Sequence, residues 1–325
     1  MATMKKFIII TSIFEPTEAV RKFASLKDFQ LVVVGDMKSP ATWECENVVY
    51  LGVDDQKKMG FPILENLPFN HYCRKMLGYL YAISKGAEII IDTDDDNIPY
   101  ENWSFPTFSG EFDTISKSQG FYNIYSDFTS QKIWPRGLPL LDINHPKNMI
   151  RKTEHSKIGI WQGLADGDPD VDAIYRLVDN TPCTFEKRAP IVLSEGTICP
   201  FNSQNTAFRK EFFPLLYLPS FVTFRFTDIL RGFVAQPILW KAGFNLGFTE
   251  ATVFQERNAH NYVRDFESEI PMYLNTEKSI EIIDKHTSSS NSVIDNLYSA
   301  YIGLEKEGIV ENREVKLLET WLKSF

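Results

Sequence analysis

Cysteine is scarce in this chain: its 325 residues hold four, Cys45, Cys73, Cys183 and Cys199, with no C-x-x-C pair. That spacing offers neither a zinc ligand set nor a disulfide framework, and reduced thiols in a cytosolic compartment are the simpler expectation. Long apolar runs are missing too. No stretch reaches the roughly 18 apolar residues that a membrane span needs. The run after Lys5-Lys6, Phe7 to Ile10, is too short for the core of a signal peptide. A soluble, cytoplasmic protein is therefore expected. No G-x-G-x-x-G follows the first predicted strand, which removes the dinucleotide fingerprint. There is no internal repeat and no long low-complexity segment. Basic residues are outnumbered, Lys+Arg 34 against Asp+Glu 43, for a net charge of -9. That balance argues against a nucleic-acid coat and leaves only a local basic groove for such a partner.

What the chain has is a hydrophobic fraction of 43% and an aromatic fraction of 14%, the composition of a globular protein with ample core for one large or two smaller domains. Lys6 to Thr11 reads as a strand. Thr17 is placed to cap a helix running to about Leu26, and Leu31 to Val34 reads as a second buried strand closed by Gly35-Asp36. Strand, helix, strand in about 30 residues is a βαβ unit. Val48 to Leu51 is a candidate third strand. Asn70 then caps a helix with Tyr72, Met76, Tyr79, Leu80 and Ile83 at helical spacing and Gly86 at its end. Strands alternating with helices predict a doubly wound α/β sheet.

The stretch Glu88-Ile-Ile-Ile-Asp92-Thr-Asp94-Asp95-Asp96-Asn97 organises the rest. Three isoleucines predict a buried strand, and the chain then presents four carboxylates within five residues. Like charges this close need a compensating cation. Oxygen-only ligands at the mouth of a strand suit Mg²⁺ or Mn²⁺, which can also hold phosphate oxygens. Ligands of open α/β sheets bind outside the carboxyl ends of the strands. The alternative is a solvated acidic turn.

From Pro99 to about Ser220 the pattern weakens into loops dense in aromatics, Gly and Pro, where binding groups usually sit. Arg136, between Pro135 and Gly137, suits a phosphate or carboxylate partner, or else bonds loop carbonyls. Asp166, Asp168, Asp170 and Asp172 lack the spacing of a calcium loop. They read as turn and capping carboxylates, with Asp170 or Asp172 capping a helix from Ala173 and one of the set available to the site. Asn202 to Asn205 suits sugar hydroxyls or a polar turn. Thr227 or Asp228 caps the next helix, and Asp228 is equally a candidate base. Arg257, Asn258 and His260 combine a phosphate contact with a metal nitrogen, against the structural reading of a lone His. From about Ser288 two helices follow, striped by Val293, Leu297, Ala300 and Leu304 and by Val315, Leu318, Leu322 and Phe325.

Several blocks resemble the STELLO family. They are Val33-Val-Gly-Asp36-Met-Lys-Ser-Pro40, Asn70 to Asn97, Ile133-Trp-Pro-Arg136-Gly137, Gly163 to Asp172, Pro200-Phe-Asn202-Ser-Gln-Asn205-Thr and Arg257-Asn258-Ala-His260. The acidic turn looks like the D-x-D motif of GT-A-fold glycosyltransferases, and the chain is more distantly similar to reversibly glycosylated polypeptides. The resemblance implies a GT-A-like (Rossmann-like) mixed sheet flanked by helices, with a nucleotide-sugar-binding and catalytic domain over residues 1–275 and a helical extension over 276–325. It implies a metal-dependent transfer of sugar from a nucleotide-diphosphate donor, UDP-linked, to a hydroxyl acceptor: a glycan, a small molecule or a modified nucleobase. A nucleotide-sugar mutase and a non-catalytic scaffold are the alternatives, and a homo-oligomer is left open. On this resemblance Thr11, Ser12, Asp36 and Lys38 hold base and ribose. Asp94 and Asp96, with Asp95 between them, and His260 serve Mn²⁺ or Mg²⁺. Arg74, Lys75 or Arg136 adds to the stabilisation of the diphosphate, with Arg257 as a second phosphate contact, Asn202 and Asn205 face the sugar, and Asp228, or Asp166 or Asp168, activates the acceptor if the configuration inverts. Plant STELLO proteins carry a membrane anchor and further domains; the anchor is not seen here, so their Golgi setting is not expected to carry over.

Overall fold

The computed structural model of the chain describes residues 4–116, 120–143, 149–256 and 261–325. Its strands are β1 (Lys6–Thr11), β2 (Gln30–Val34), β3 (Val48–Leu51), β4 (Ile89–Thr93), β5 (Asn97–Pro99), β6 (Ser109–Ser116), β7 (Gly120–Phe121), β8 (Ile150–Gly167), β9 (Ile191–Leu193), β10 (Thr197–Ile198), β11 (Asn205–Arg209) and β12 (Asn245–Gln255). Its helices are α1 (Glu18–Ala24), α2 (Val53–Lys58), α3 (Lys75–Ser84), α4 (Ala173–Val178), α5 (Thr227–Lys241), α6 (Tyr262–His286), α7 (Val293–Lys306) and α8 (Asn312–Leu322).

One 10-stranded sheet runs in the order β3-β2-β1-β4-β11-β8-β6-β9-β12-β5. The first four strands are parallel, as the alternation of strands and helices predicts. β11 then enters antiparallel to both β4 and β8, which makes the sheet mixed. The expected architecture, a mixed sheet flanked by helices with a C-terminal helical segment, is what the structure shows. Side-chain alternation sorts the apolar runs between the two faces. Ile8, Ile10, Leu31, Val33 and Ile91 pack with Val20 and Phe23 of α1. Ile9, Val32, Val34 and Ile90 pack with Met76, Leu77 and Leu80 of α3. α3 lies close because Gly78 faces the sheet: a Cβ there would stand 2.5 Å from Ile9 Cγ2 and 2.8 Å from Val34 Cγ2.

Some boundaries differ from expectation. Thr17 caps α1 and Asp172 caps α4 as predicted. Asn70 does not cap the third helix: a 3₁₀ turn, Tyr72–Arg74, precedes α3, and His71 caps that turn. Neither Thr227 nor Asp228 caps α5, because Phe226 holds the N-cap position and both residues lie inside the helix. The polar, Pro271-containing stretch after Asn261 hid the longest helix, α6, which runs for 25 residues. The sequence-derived boundary between 275 and 276 falls inside it.

The C-terminal helices are tied into the body. Glu314 of α8 is fully buried. It accepts from Ser220 N at 3.0 Å, from Phe221 N at 2.7 Å and from the Tyr217 hydroxyl. Trp321 Nε1 donates to Pro214 O at 2.9 Å. Removing a buried acceptor strands all of its donors at once. Glu314→Ala is therefore expected to cost about 2–3 kcal/mol in urea unfolding, and Glu314→Gln, which keeps an oxygen, less. An unchanged midpoint in Glu314→Ala would show that this anchor does not bear on folding.

Candidate functional site

A cleft of about 370 Å³ opens at the carboxyl ends of β1, β2 and β4. Its floor depends on a carboxylate that does not line it. Asp92, the last but one residue of β4, is fully buried. Lys75 Nζ reaches it from α3 at 2.9 Å, and Arg231 reaches it from α5 at 2.7 Å. Lys75 continues upward to Thr93 O at 2.7 Å and Asp94 Oδ1 at 2.8 Å. Arg231 continues sideways to Asn202 O at 3.1 Å and Ser203 Oγ at 3.0 Å. Thr93 Oγ1 and Asn97 Nδ2 both donate to Gln204 O, at 2.7 and 2.9 Å. The acidic turn and the polar 202–205 turn are thus fixed to each other.

The three following carboxylates face the cleft in different states. Asp94 keeps 39% of its side chain exposed. Burial, opposed by Lys75 and reinforced by Asp96 and Asp92, pushes its carboxyl up to about 6. Asp95 accepts from Ser12 Oγ at 2.5 Å, and burial also raises its carboxyl. Asp96 accepts from Gln255 Nε2 at 3.0 Å, and Gln255 is held in turn by Gln204.

The remaining predicted residues separate into those that reach the cleft and those that do not. Thr11, Ser12, Asp36, Lys38, Arg74, Arg136, Asn202 and Asp228 line it together with Asp94, Asp95 and Asp96. Lys75 lies beneath the acidic turn. Asn205, the last residue of the 202–205 turn, is buried below the cleft, its side chain between Trp103 Nε1 at 3.2 Å and Thr252 Oγ1 at 2.9 Å. Asp166 accepts from Tyr100 OH and Phe185 N, both at 2.8 Å, away from the cleft. Asp168 pairs with Arg176, also away from it. Arg257 and His260 lie outside the described residues.

The cationic groups are already engaged. Arg74 donates to Gln56 Oε1 at 3.0 Å and stacks over the Phe69 ring. Arg136 grips Asp170 through Nε at 2.8 Å and an amino group at 2.7 Å, and the same amino group meets both Asp228 oxygens at 3.1 and 3.0 Å. Ser203 N and Ile229 N add further donors to Asp228. Burial works to raise the Asp228 carboxyl, but the Arg136 charge and hydrogen bond, with Arg231 and Arg225, carry it below its ordinary value. Arg225 pairs with Glu269. Among the described residues, every cation lining the cleft except the exposed Lys38 is thereby held by protein acceptors.

That leaves excess negative charge at the acidic turn, which suits a hard divalent cation. Among the described residues, no three His, Cys, Asp or Glu side chains converge into a ready-made metal cage. A cation at this turn would therefore take most of its ligands from water or phosphate, as Mg²⁺ commonly does.

Several cleft residues escaped the sequence reading. His71, Tyr72 and Phe224 form an aromatic wall, and Gln255 reaches the cleft from a distant segment; of the four carboxylates between 166 and 172, one of which was expected at the site, Asp170 lines it. Arg231 alone left a signal: Asp228 and Arg231 stand three apart in a helix that is otherwise mostly apolar.

Comparison with known proteins agrees with the sequence blocks. A family model described as STELLO glycosyltransferases matches residues 225–325. Two Arabidopsis thaliana proteins, "Probable glycosyltransferase STELLO1" and "Probable glycosyltransferase STELLO2", are each 26% identical to the chain over 342 residues. The chain is STELLO-like. The alignments take in 99% of this chain and 44% of either relative, so the chain spans less than half the length of these STELLO proteins. Among solved structures, a mycobacterial protein gives a TM-score of 0.41 at 11% identity, over 86% of this chain and 75% of its own. Among the described residues, no helix is long and apolar enough to cross a membrane.

Two outcomes follow from the buried charges. Lys75→Met removes one of the two cations on Asp92 and is expected to cost about 3 kcal/mol in urea unfolding. Full stability would mean that Arg231 alone suffices. The raised Asp94 carboxyl has the opposite sign to a salt-bridged acid. Its contribution favours the fold below the ordinary carboxylate value and is lost as pH rises through about 6. Between about pH 5 and pH 7.5, without divalent ions, the native protein is expected to lose urea stability relative to Asp94→Asn. Parallel pH curves would refute the raised value.

Proposed function

We propose that the chain is a metal-dependent glycosyltransferase of GT-A type that takes a nucleotide-diphosphate sugar, UDP-linked by resemblance, and passes the sugar to a hydroxyl acceptor. The observation that carries this reading is the acidic turn at the strand ends: partly exposed carboxylates stand over a buried charge network, in a cleft whose guanidinium groups are already engaged. A leaving diphosphate would find little free positive charge on the protein. Mn²⁺ or Mg²⁺ held by Asp94, Asp95 and Asp96 would supply Lewis-acid neutralisation of that charge. The STELLO likeness supports glycosyl transfer as the chemistry.

Each part of the chain has a role in this reading. Lys75 and Arg231 clamp Asp92 and hold the turn rigid, so that the carboxylates are preorganised rather than pulled into place. Ser12 and Gln255 orient Asp95 and Asp96. Asn202 and Ser203 present polar groups to the sugar. Lys38, exposed on the rim, is free to approach the donor. Asp228 is read as the group that fixes Arg136 and the 202–205 turn rather than as the base. Its oxygens are already bonded, and its lowered affinity for a proton makes it a poor acceptor of one.

A thermal-shift screen of nucleotide sugars with and without Mn²⁺ tests the reading, because a ligand that binds only the folded state raises the midpoint. A shift is expected with one nucleotide class and only with metal. Asp94→Ala with Asp96→Ala is expected to abolish it, and a shift that survives in the double variant would sink the metal assignment. Asp228→Asn is expected to weaken metal-dependent nucleotide binding by loosening Arg136; lost transfer with unchanged binding would return Asp228 to the role of base.

A further inference from the structure

His71 lines the same cleft and has no part in the scheme above. Its backbone N–H donates to Asp36 Oδ2 at 3.2 Å, while Met37 N takes Oδ1 at 2.7 Å. The ring is held as firmly. Cys73 N donates to Nδ1 at 3.1 Å, so Nδ1 carries the lone pair. Burial lowers the pKa of the imidazole, against the pull of Asp36, and keeps it neutral. A neutral ring with an accepting Nδ1 carries its proton on Nε2. The ring plane is also set: it stacks on Tyr72 at 5.4 Å and 13°, and meets Phe224 edge-on at 5.5 Å. Phe224 itself is 54% exposed at the mouth. A fixed N–H donor and a carboxylate acceptor thus stand side by side against an aromatic wall.

We propose that His71 reads the nucleobase: its Nε2–H donates to an acceptor atom on the base edge, while Asp36 accepts from the neighbouring N–H of the same edge. This rests on the nucleotide-sugar reading above. The chemistry at this corner favours a base over the other parts of a nucleotide. A phosphate would meet the Asp36 carboxylate and be repelled. A ribose offers hydroxyls but no flat face for the aromatic rings, whereas a base offers both a planar face and paired edge groups. A site built to hydrogen-bond one edge rejects bases that leave its polar groups unpaired.

The test is titration calorimetry of UDP, CDP, GDP, ADP and inorganic pyrophosphate, each with Mn²⁺, on the full chain and on His71→Phe and His71→Ala. His71→Phe keeps a ring and removes the donor. The native protein is expected to prefer one base by about tenfold or more. Both variants are expected to bring the four bases to within about threefold of each other, with pyrophosphate affinity unchanged. An unchanged ranking in both variants overturns the inference. So does an equal loss for all four nucleotides, which would place the contact on the shared ribose, and so does a flat ranking in the native protein. Nucleotides that fail to bind the native protein at all overturn the nucleotide-sugar reading together with it; the other failures leave that reading standing.

Discussion

The rest of this structure depends on a single buried carboxylate. Asp92 sits in a strand interior with no access to water, and a lone charge there would cost far more than a domain of this size can absorb. Two cations from separate helices make it tolerable. Each then has donors to spare, and it is these spare donors that build the site. Lys75 reaches up to the acidic turn, and Arg231 reaches across to the polar turn at 202–205. The charge that needs compensation is also the hub that aligns two loops more than a hundred residues apart in sequence.

The same economy recurs around Arg136. Its guanidinium is shared by Asp170 and Asp228, from the loop before α4 and the first turn of α5. An arginine held this way is a rigid wall rather than a free phosphate clamp. The electrostatic character of the cleft therefore comes from the acidic turn, where Asp94, Asp95 and Asp96 stand over the ammonium of Lys75, which is itself shared with Asp92. The balanced pairs set its geometry, and the surplus of carboxylates over cations at the turn sets its ligand chemistry.

The parallel half of the sheet and the acidic turn were legible because they rest on local patterns. Unbroken runs such as Ile8-Ile9-Ile10 and Val32-Val33-Val34 announce strands buried on both faces, and an acid run directly after such a strand announces a ligand end. What was not legible is non-local. β11 sits antiparallel between β4 and β8, a pairing that depends on tertiary neighbours and not on the composition of Asn205 to Arg209. α6 escaped because its buried positions are mixed with the polar residues Glu269, Thr276 and Ser279, of which Glu269 is satisfied by tertiary partners and Thr276 by its own turn. Among site residues, Asp166 and Asp168 entered as candidate bases through the family resemblance, but their partners Tyr100, Phe185 and Arg176 draw them elsewhere. His71 and Phe224 meet only in the folded chain.

The two cations on Asp92 also constrain how this protein can change over time. A substitution at Asp92 alone would leave Arg231 without its ion-pair partner and Lys75 with Asp94 alone, and a substitution at either cation would leave the anion underserved. The three positions form one unit of inheritance: a lineage that abandons the chemistry of the cleft can shed them together, replacing the triad with apolar side chains at little cost to folding, but it has no easy path through the single changes.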